Sequence, residues 1–364
     1  MTEPDNDLPV ARLESYLSAE RGVTVTVTEV LHDGLNLALG ISTPDDGLTY
    51  VLRRPSRVRQ ADAFNDLKQE YRVLEKLEDT TIPAPEPVLF CDDNSVIGDP
   101  FFLFTHLDGS PVHVGSPLPE RFQTEDARNR VADQMVDILC ELHSVDPKPF
   151  EAVCDRKSPG DQLALATEQL DQATSVTERE VPALRSVGEW LGQNAPPDST
   201  TSLVHGDFRP GNLLFTGTDQ PEATGVLDWE TAALGDPLTD LGYVLLLWQE
   251  RGDPMPPLDG IQSRCSNDNA VRQVRALKVN GFHPFTSEPG SPSRRELLSR
   301  YGTDVERFLE YEQFYRAHAA FMLAAVWEDL HRHKMEAGVP SPFEPLAEYM
   351  ALVAERIVEG RYTL

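Results

Sequence analysis

Lysine is the scarcest charged residue of this chain. It supplies six of the 32 basic residues, set against 60 acidic ones, for a formal net charge of -28 over 364 residues. That deficit works against general binding to nucleic acid or to anionic membranes, whose phosphates require a cationic face. An acidic, lysine-poor surface also suits concentrated salt, where screening relieves self-repulsion. An ordinary acidic cytoplasmic enzyme is the plainer reading. Cysteine is sparse as well: Cys91, Cys140, Cys154 and Cys265 stand apart, with no C-x-x-C pair. This argues against a zinc site or disulfide framework and for reduced, mostly buried thiols. No stretch approaches the roughly 18 uninterrupted apolar residues of a membrane span. The opening MTEPDNDLPV is acidic and lacks the apolar core of a secretory signal. A soluble cytoplasmic protein with no membrane and no nucleic-acid partner is expected; oligomeric state is left open.

What is present is enough for a packed globule, with 40% hydrophobic and 8% aromatic residues. The length exceeds one ordinary core and predicts two lobes. An amphipathic stretch at 8–19 predicts a leading helix. Strict alternation in VTVTVTEVL (23–31) predicts a strand, and LNLALGIS (35–42) and LTYVLRR (48–54) predict two more, joined through the turn composition PDDG at 44–47. Phe64, Leu67, Tyr71, Leu74 and Leu77 have helical spacing, which predicts a helix over 61–78 ended by TIPAPEP. Further strands are expected at 88–91 and 101–107, with DDNSVIGDP as the turn between them. Residues 1–107 thus read as a lobe that, after the leading helix, holds five antiparallel strands and one helix. Beyond Asp108-Gly109 the pattern turns mainly helical (124–144, 160–173, 181–194, 237–250, 294–301, 305–333 and 342–359). Residues 251–292, rich in Pro, Gly, Ser and Asn, read as a long surface insertion in this second lobe, 108–364.

The chemistry concentrates in two segments: LVHGDFRPGNLLF at 203–215 and GVLDWE at 225–230. They place a carboxylate (Asp207), an amide (Asn212) and a carboxylate pair (Asp228 and Glu230) on short loops next to strand-length apolar runs. Phosphoryl transfer from a nucleotide needs such a set: a base for the attacking hydroxyl and hard oxygen ligands for magnesium. Glu230 lies two residues after Asp228 and would share its face in an extended segment. Asp236 followed by Pro237 reads as a helix N-cap, and Asp240 as a brace for the catalytic loop. Trp229, Trp248 and the VLLLW run read as core. A β-rich lobe, a glycine-containing hinge and a helical lobe carrying D-x-x-x-x-N then an acidic pair is the kinase layout. A protein kinase itself is disfavoured, since H-R-D, D-F-G and A-P-E are missing.

With VLRRP, QEYRVLEKL, IPAPEP, HGDFRPGNLLF, LDWE and GDPLTDLGY in view, the chain resembles the aminoglycoside phosphotransferase family, which includes choline- and homoserine-kinase relatives. It is most similar to the branch found alone or joined to acyl-CoA dehydrogenases. The resemblance implies an α+β, protein-kinase-like two-lobe fold with a small antiparallel-sheet N-lobe and a larger, mainly helical C-lobe. It also implies ATP (GTP in some relatives) with Mg2+ and a small-molecule hydroxyl acceptor, of hydroxyacyl-CoA or aminoglycoside-like type. Asp207 would receive or orient the acceptor proton, with His205 supporting its loop. Asn212, Asp228 and Glu230 would hold the metal. Arg53 would stand where kinases usually carry the phosphate-binding lysine, held by Glu70, with Arg54 as the competing candidate. Gly34 and Asn36 would form the phosphate-approaching turn, and Thr105 and Leu107 would lie at the adenine hinge. Arg53, Arg54, Arg57 and Arg59 form a cationic run suited to a triphosphate or to a CoA-type acceptor. A non-catalytic nucleotide-binding protein of the same fold is the alternative.

Overall fold

The computed structural model describes residues 8–34, 36–44, 47–55, 66–197, 200–265 and 267–364. A helix, α1 (Val10–Arg21), leads into strands β1 (Thr26–Asp33), β2 (Asn36–Thr43) and β3 (Gly47–Pro55), then α2 (Leu67–Leu77). Next come β4 (Pro87–Cys91), the one-turn α3 (Asn94–Ile97) and β5 (Phe101–Thr105). The five strands form one antiparallel sheet in the order β1-β2-β3-β5-β4. Period-two alternation gives each face of it a core. On β5, Phe101 and Leu103 join Leu13, Leu17 and Leu39 beneath α1, while Phe102 joins Val73, Leu74 and Leu77 of α2 in the main core. The N-terminus of α2 is closed by Asp66, whose carboxylate accepts from the Gln69 N–H at 2.6 Å.

The remainder is mainly helical: α4 (Glu125–Ser144), β6 (Arg156–Lys157), α5 (Pro159–Thr177), α6 (Pro182–Gln193), β7 (Ser202–Val204), β8 (Leu213–Thr216), β9 (Glu222–Val226), β10 (Ala233–Gly235), α7 (Pro237–Leu247), α8 (Asp259–Arg264), α9 (Asp268–Asn280), α10 (Arg294–Tyr301), α11 (Val305–Glu310), α12 (Glu312–Glu336) and α13 (Phe343–Val358). Capping boxes start α5 (Ser158 with Asp161) and α10 (Ser293 with Glu296). The two parts are joined at Gly109, whose φ is 137° and where a Cβ would come within 2.9 Å of Leu214 Cβ. Ser110 then exchanges two backbone hydrogen bonds of 3.1 Å with Phe215, fastening the linker to β8.

Four expectations are corrected. DDNSVIGDP contains the helical turn α3, nucleated by the Asp93 carboxylate accepting from Ser95 N–H. The helix expected over 305–333 is two helices, α11 and α12, because Tyr311 between them has φ -114° and leaves helical geometry. The segment 251–292 is not a surface insertion: it carries α8 and α9, and Leu258, Ile261, Val274, Leu277 and Phe285 are buried in the main core. Its turn-forming composition hid apolar residues at helical spacing. Strand β5 also stops at Thr105, short of Leu107. Leu35, the turn residues Asp45 and Asp46, Arg57, Arg59 and the start of the 61–78 helix lie outside the described residues.

Arg294 ties this inserted segment to the rest. Its guanidinium, 3% exposed, donates to Asp253 (2.6 and 2.8 Å), the Trp248 carbonyl (3.0 Å) and the Tyr362 hydroxyl (2.9 Å). Removing it strands a buried carboxylate, so Arg294→Ala should cost roughly 3–5 kcal/mol in urea unfolding. A loss below about 1 kcal/mol would show that the segment does not depend on this anchor.

Candidate active site

Strand β7 delivers His205, Gly206 and Asp207 to the cleft, and three contacts hold their backbone. Asp240 of α7 accepts from the His205 N–H (2.7 Å) and the Gly206 N–H (2.8 Å), and the Thr231 hydroxyl donates to the His205 carbonyl (2.7 Å). Gly206 has φ 82°, and a Cβ there would meet the Thr231 carbonyl at 2.9 Å, so only glycine fits. His205 is fully buried and makes no contact that would carry a proton to a ligand. Its Nδ1 accepts from the Asp207 N–H (3.2 Å) and its Nε2 donates to the Leu227 carbonyl (2.9 Å), which fixes its tautomer. It is a strut between the two motif loops, as the resemblance implies. His143, absent from the sequence reading of the site, completes the Asp240 shell through Nε2 at 3.2 Å.

Asp207 is 29% exposed and its carboxylate is held by three side chains. The Tyr243 hydroxyl donates to Oδ1 (2.7 Å), Arg209 Nε donates to both oxygens (3.1 and 3.2 Å), and Asn212 Nδ2 donates to Oδ2 (2.8 Å). The same Asn212 nitrogen donates to the Asp207 carbonyl (2.9 Å), which leaves the amide oxygen as the atom a cation would use. The Leu227 N–H donates to the Asn212 carbonyl (2.8 Å), so the two loops lie side by side and Asp228 follows at once. Asp228 has φ 64° and ψ 60°, a left-handed conformation that costs a non-glycine residue on the order of 1 kcal/mol. The strained residue is the one whose carboxylate faces the sheet lobe.

Across the cleft, Arg53 on β3 gathers the acids. Its Nε lies 3.2 Å from Glu70, its Nη1 bonds Asp228, and its Nη2 donates to Glu230 at 2.6 Å. Arg54 points to the other side, donating to Asp99 at 2.9 Å, as strand alternation demands. Burial works against the Arg53 charge, but Glu70, then Asp228, then Glu230 outweigh it and push its pKa above the ordinary arginine value. Enclosure raises the Asp228 carboxyl, and the Arg53 and Arg209 guanidinium groups reverse this to a net downward shift. Glu230 also accepts from Asn36 Nδ2 at 2.6 Å, linking the β1–β2 turn to this cluster. Gly34 donates its N–H to the Asn36 carbonyl (3.1 Å) within that turn. At the hinge, Thr105 spends its N–H and its hydroxyl on Glu86 (2.9 Å each), while Leu107 packs over Gly225.

Among the described residues no group of three or more His, Cys, Asp or Glu is placed to hold a metal ion. Asn212 and Asp228 instead offer one amide oxygen and one partly exposed carboxylate. That set fits Mg2+, which commonly takes one or two protein carboxylates and fills its octahedron with phosphate oxygens and water. Sequence reasoning missed Arg209 and Tyr243 as partners of Asp207. Arg209 sits inside the motif, and Tyr243 is one helical turn beyond Asp240, so spacing on α7 could have suggested it.

The family model for APH, the phosphotransferase enzyme family, matches residues 26–277. Among curated relatives, acyl-CoA dehydrogenase family member 11 of Gallus gallus is 33% identical over 201 residues, covering 54% of this chain and 25% of the relative. The Homo sapiens protein of that name is 29% identical over 351 residues, covering 90% of this chain and 40% of the relative. The chain therefore spans well under half the length of these two relatives. A candidate aminoglycoside phosphotransferase of Ralstonia eutropha has the same fold, with TM-score 0.69 at 23% identity over 97% of this chain and 99% of that one. Plasmodium vivax ethanolamine kinase aligns with TM-score 0.59 at 13% identity over 93% of this chain and 83% of that one. The fold is kinase-like, with an antiparallel-sheet N-lobe and a mainly helical C-lobe.

The Asp240 network carries a pH signature. Burial alone would raise this carboxyl, but the hydrogen bond from His143 and the backbone N–H of His205 pull it below the usual value. A depressed carboxyl contributes stability that is complete above its unfolded pKa, about 4, and lost as pH falls through the folded value. Denaturant unfolding should therefore show stability dropping below about pH 4. Asp240→Asn should lose roughly 2–3 kcal/mol at pH 7 and show a flatter acid limb. Parallel curves for the two proteins would remove Asp240 from this role.

Proposed function

The chain belongs to the APH phosphotransferase enzyme family, and on that premise we propose an ATP-dependent enzyme that phosphorylates a hydroxyl of a small molecule, with Mg2+. The acceptor oxygen attacks the γ-phosphorus, the bond to the β–γ bridging oxygen breaks, and ADP leaves. The acceptor proton passes to Asp207, or is oriented by it, since a loose transition state asks little basicity of the base. Asn212 and Asp228 would hold the magnesium, which supplies neutralisation of the phosphate charge when bound. Glu230 is a further candidate for that shell, although here it is engaged by Arg53 and Asn36. Arg53 would contact the phosphates with Glu70 fixing its Nε side, and the turn at Gly34 and Asn36 would close over them. Residues 1–107 would bind the nucleotide, with adenine at the Thr105–Leu107 hinge, and residues 108–364 would bind the acceptor. The observation that carries this reading is that Asp207 and Asn212 are hydrogen-bonded within one loop while the Asn212 carbonyl accepts from the Leu227 N–H, the residue before Asp228 on the other, opposite an Arg53–Glu70 pair.

The acceptor is a hydroxyl-bearing small molecule. A hydroxyacyl-CoA is supported by the acyl-CoA dehydrogenase names of the relatives, and an aminoglycoside-like compound by the fold neighbours. Free thiols at Cys91, Cys140, Cys154 and Cys265 support a reducing, cytoplasmic setting. The acidic surface supports a salt-adapted protein. Its melting temperature should rise steadily as KCl increases from about 0.1 M to molar concentrations, because the Debye length shrinks from about 10 Å to 3 Å. A salt-independent melting temperature would leave an ordinary acidic enzyme.

Asp207→Ala should reduce phosphoryl transfer by a factor of at least about a thousand while Mg-ATP still binds. Asp228→Ala should weaken Mg-ATP binding itself. ADP release with a panel of hydroxyl acceptors, alongside calorimetric Mg-ATP titration, tests both. Tight Mg-ATP binding with no turnover on any acceptor would favour the non-catalytic reading, which the arginine at the usual lysine position, the single glycine of the Gly34 turn and the occupation of Arg53 by three carboxylates support.

A further inference from the structure

Helix α7 presents Asp240 and Tyr243 to the catalytic loop, three residues apart and so on one helical face. Asp236 caps the helix and anchors it, accepting from Arg307 Nη2 (2.6 Å) and the Tyr315 hydroxyl (2.7 Å). Asp240 holds two backbone N–H groups of the loop, and Tyr243 holds the side chain of Asp207. The helix cannot drift, because a Cβ on Gly242 would lie 2.8 Å from the Tyr315 carbonyl, so α7 and α12 are in direct backbone contact at the residue beside Tyr243.

Resting on the phosphotransferase reading above, we infer that Tyr243 is a positioning residue for the transfer, its hydroxyl fixing which oxygen of Asp207 faces the acceptor. The carboxylate is not symmetric in its surroundings. Oδ2 receives Asn212, which belongs to the metal-binding set, while Oδ1 receives the phenol from the rigid helix. With the Oδ1 bond made, rotation about the Asp207 side chain is blocked at both ends. Without it, only Arg209 Nε and Asn212 remain, and Arg209 bonds both oxygens about equally. A near-attack geometry tolerates little such freedom, so the cost falls on turnover rather than on nucleotide affinity. Burial and then the Asp207 charge push the phenol pKa well above its ordinary value, which keeps it a donor throughout the working pH range.

The test is Tyr243→Phe, which keeps the ring and removes the hydroxyl, assayed by slow hydrolysis of Mg-ATP with water as acceptor. The expected result is a 10- to 100-fold fall in kcat, on the order of the cost of misplacing a reacting group, with the KM for Mg-ATP within about twofold of wild type. A second measurement separates positioning from general loosening of the fold: the same substitution made in an Asp207→Asn background, where it should change the residual rate less than about twofold. A full multiplicative loss in that background, or an unchanged kcat in the single variant of an active wild type, overturns the inference. A wild-type protein with no phosphoryl transfer to water or to any acceptor instead sinks the phosphotransferase reading on which it stands.

Discussion

One guanidinium joins the two lobes across the cleft. Arg53 leaves the middle strand of the antiparallel sheet and meets Glu70 from its own lobe and Asp228 and Glu230 from the other. Three carboxylates around one cation would repel one another without it. Each of them is also tied elsewhere in the architecture: Glu70 to the buried face of α2, Asp228 to the loop beside Asn212, Glu230 to the β1–β2 turn through Asn36. Anything that competes for this guanidinium therefore acts on the sheet, the helix and the catalytic loops together. A phosphate group, anionic and rich in acceptor oxygens, is the chemical equal of the carboxylates it would displace. Released carboxylates at Asp228 would at the same moment gain an attraction for a cation. Phosphate and metal are thus expected to enter the cleft as a unit.

On the helical side the governing constraint is rigidity. The positive φ of Gly206 is one that glycine adopts without strain, while Asp228 sits in a left-handed conformation that is unfavourable for a non-glycine residue. Such strain persists only where its surroundings over-determine it. Here the surroundings are Asp240, Thr231 and the buried imidazole of His205, which together fill the hydrogen-bonding positions of the loop. The packing of His205 against Trp229, with ring centroids 4.7 Å apart, adds an apolar seat to the polar brace.

Much of this was legible in the sequence because it depends on local pattern. Alternation at 23–31 and 48–54 and helical spacing through Leu67, Leu74 and Leu77 named the elements of the first lobe, and the motif spacing named Asp207, Asn212 and Asp228. Strand parity also separates Arg53 from Arg54: neighbours on a strand face opposite ways, so Arg53 meets Asp228 and Glu230 while Arg54 meets Asp99. What stayed hidden depends on distance in the chain. The meeting of Arg294 with Tyr362 is set by how helices pack, which no local pattern carries, while the Tyr243–Asp207 bond was open to inference only from the spacing of Tyr243 after Asp240 on α7. Composition misled at 251–292 for a related reason. Turn-rich stretches around two short helices look like a surface loop until their few apolar residues are seen to share the main core.

The shortage of lysine and the design of the interior belong together. Among the described residues, arginines that face two or more partners in the interior include Arg53 between three carboxylates, Arg294 on Asp253, Trp248 and Tyr362, Arg307 on Asp236 and Tyr315, and Arg179 between Glu328 and Glu344. A guanidinium can serve several oxygens at once because its five donors point in fixed directions, whereas an ammonium is a compact charge that must be rehydrated when a partner leaves. In an acid-rich chain some interior cations meet more than one carboxylate, as Arg53 and Arg179 do, and a guanidinium can answer each with its own nitrogen. The same logic accounts for Arg53 at a position where kinases use lysine. A lysine there would have one nitrogen for Glu70, Asp228 and Glu230 together, whereas the guanidinium gives each of the three its own nitrogen. The arginine therefore matches the acid count around it, one nitrogen to each carboxylate.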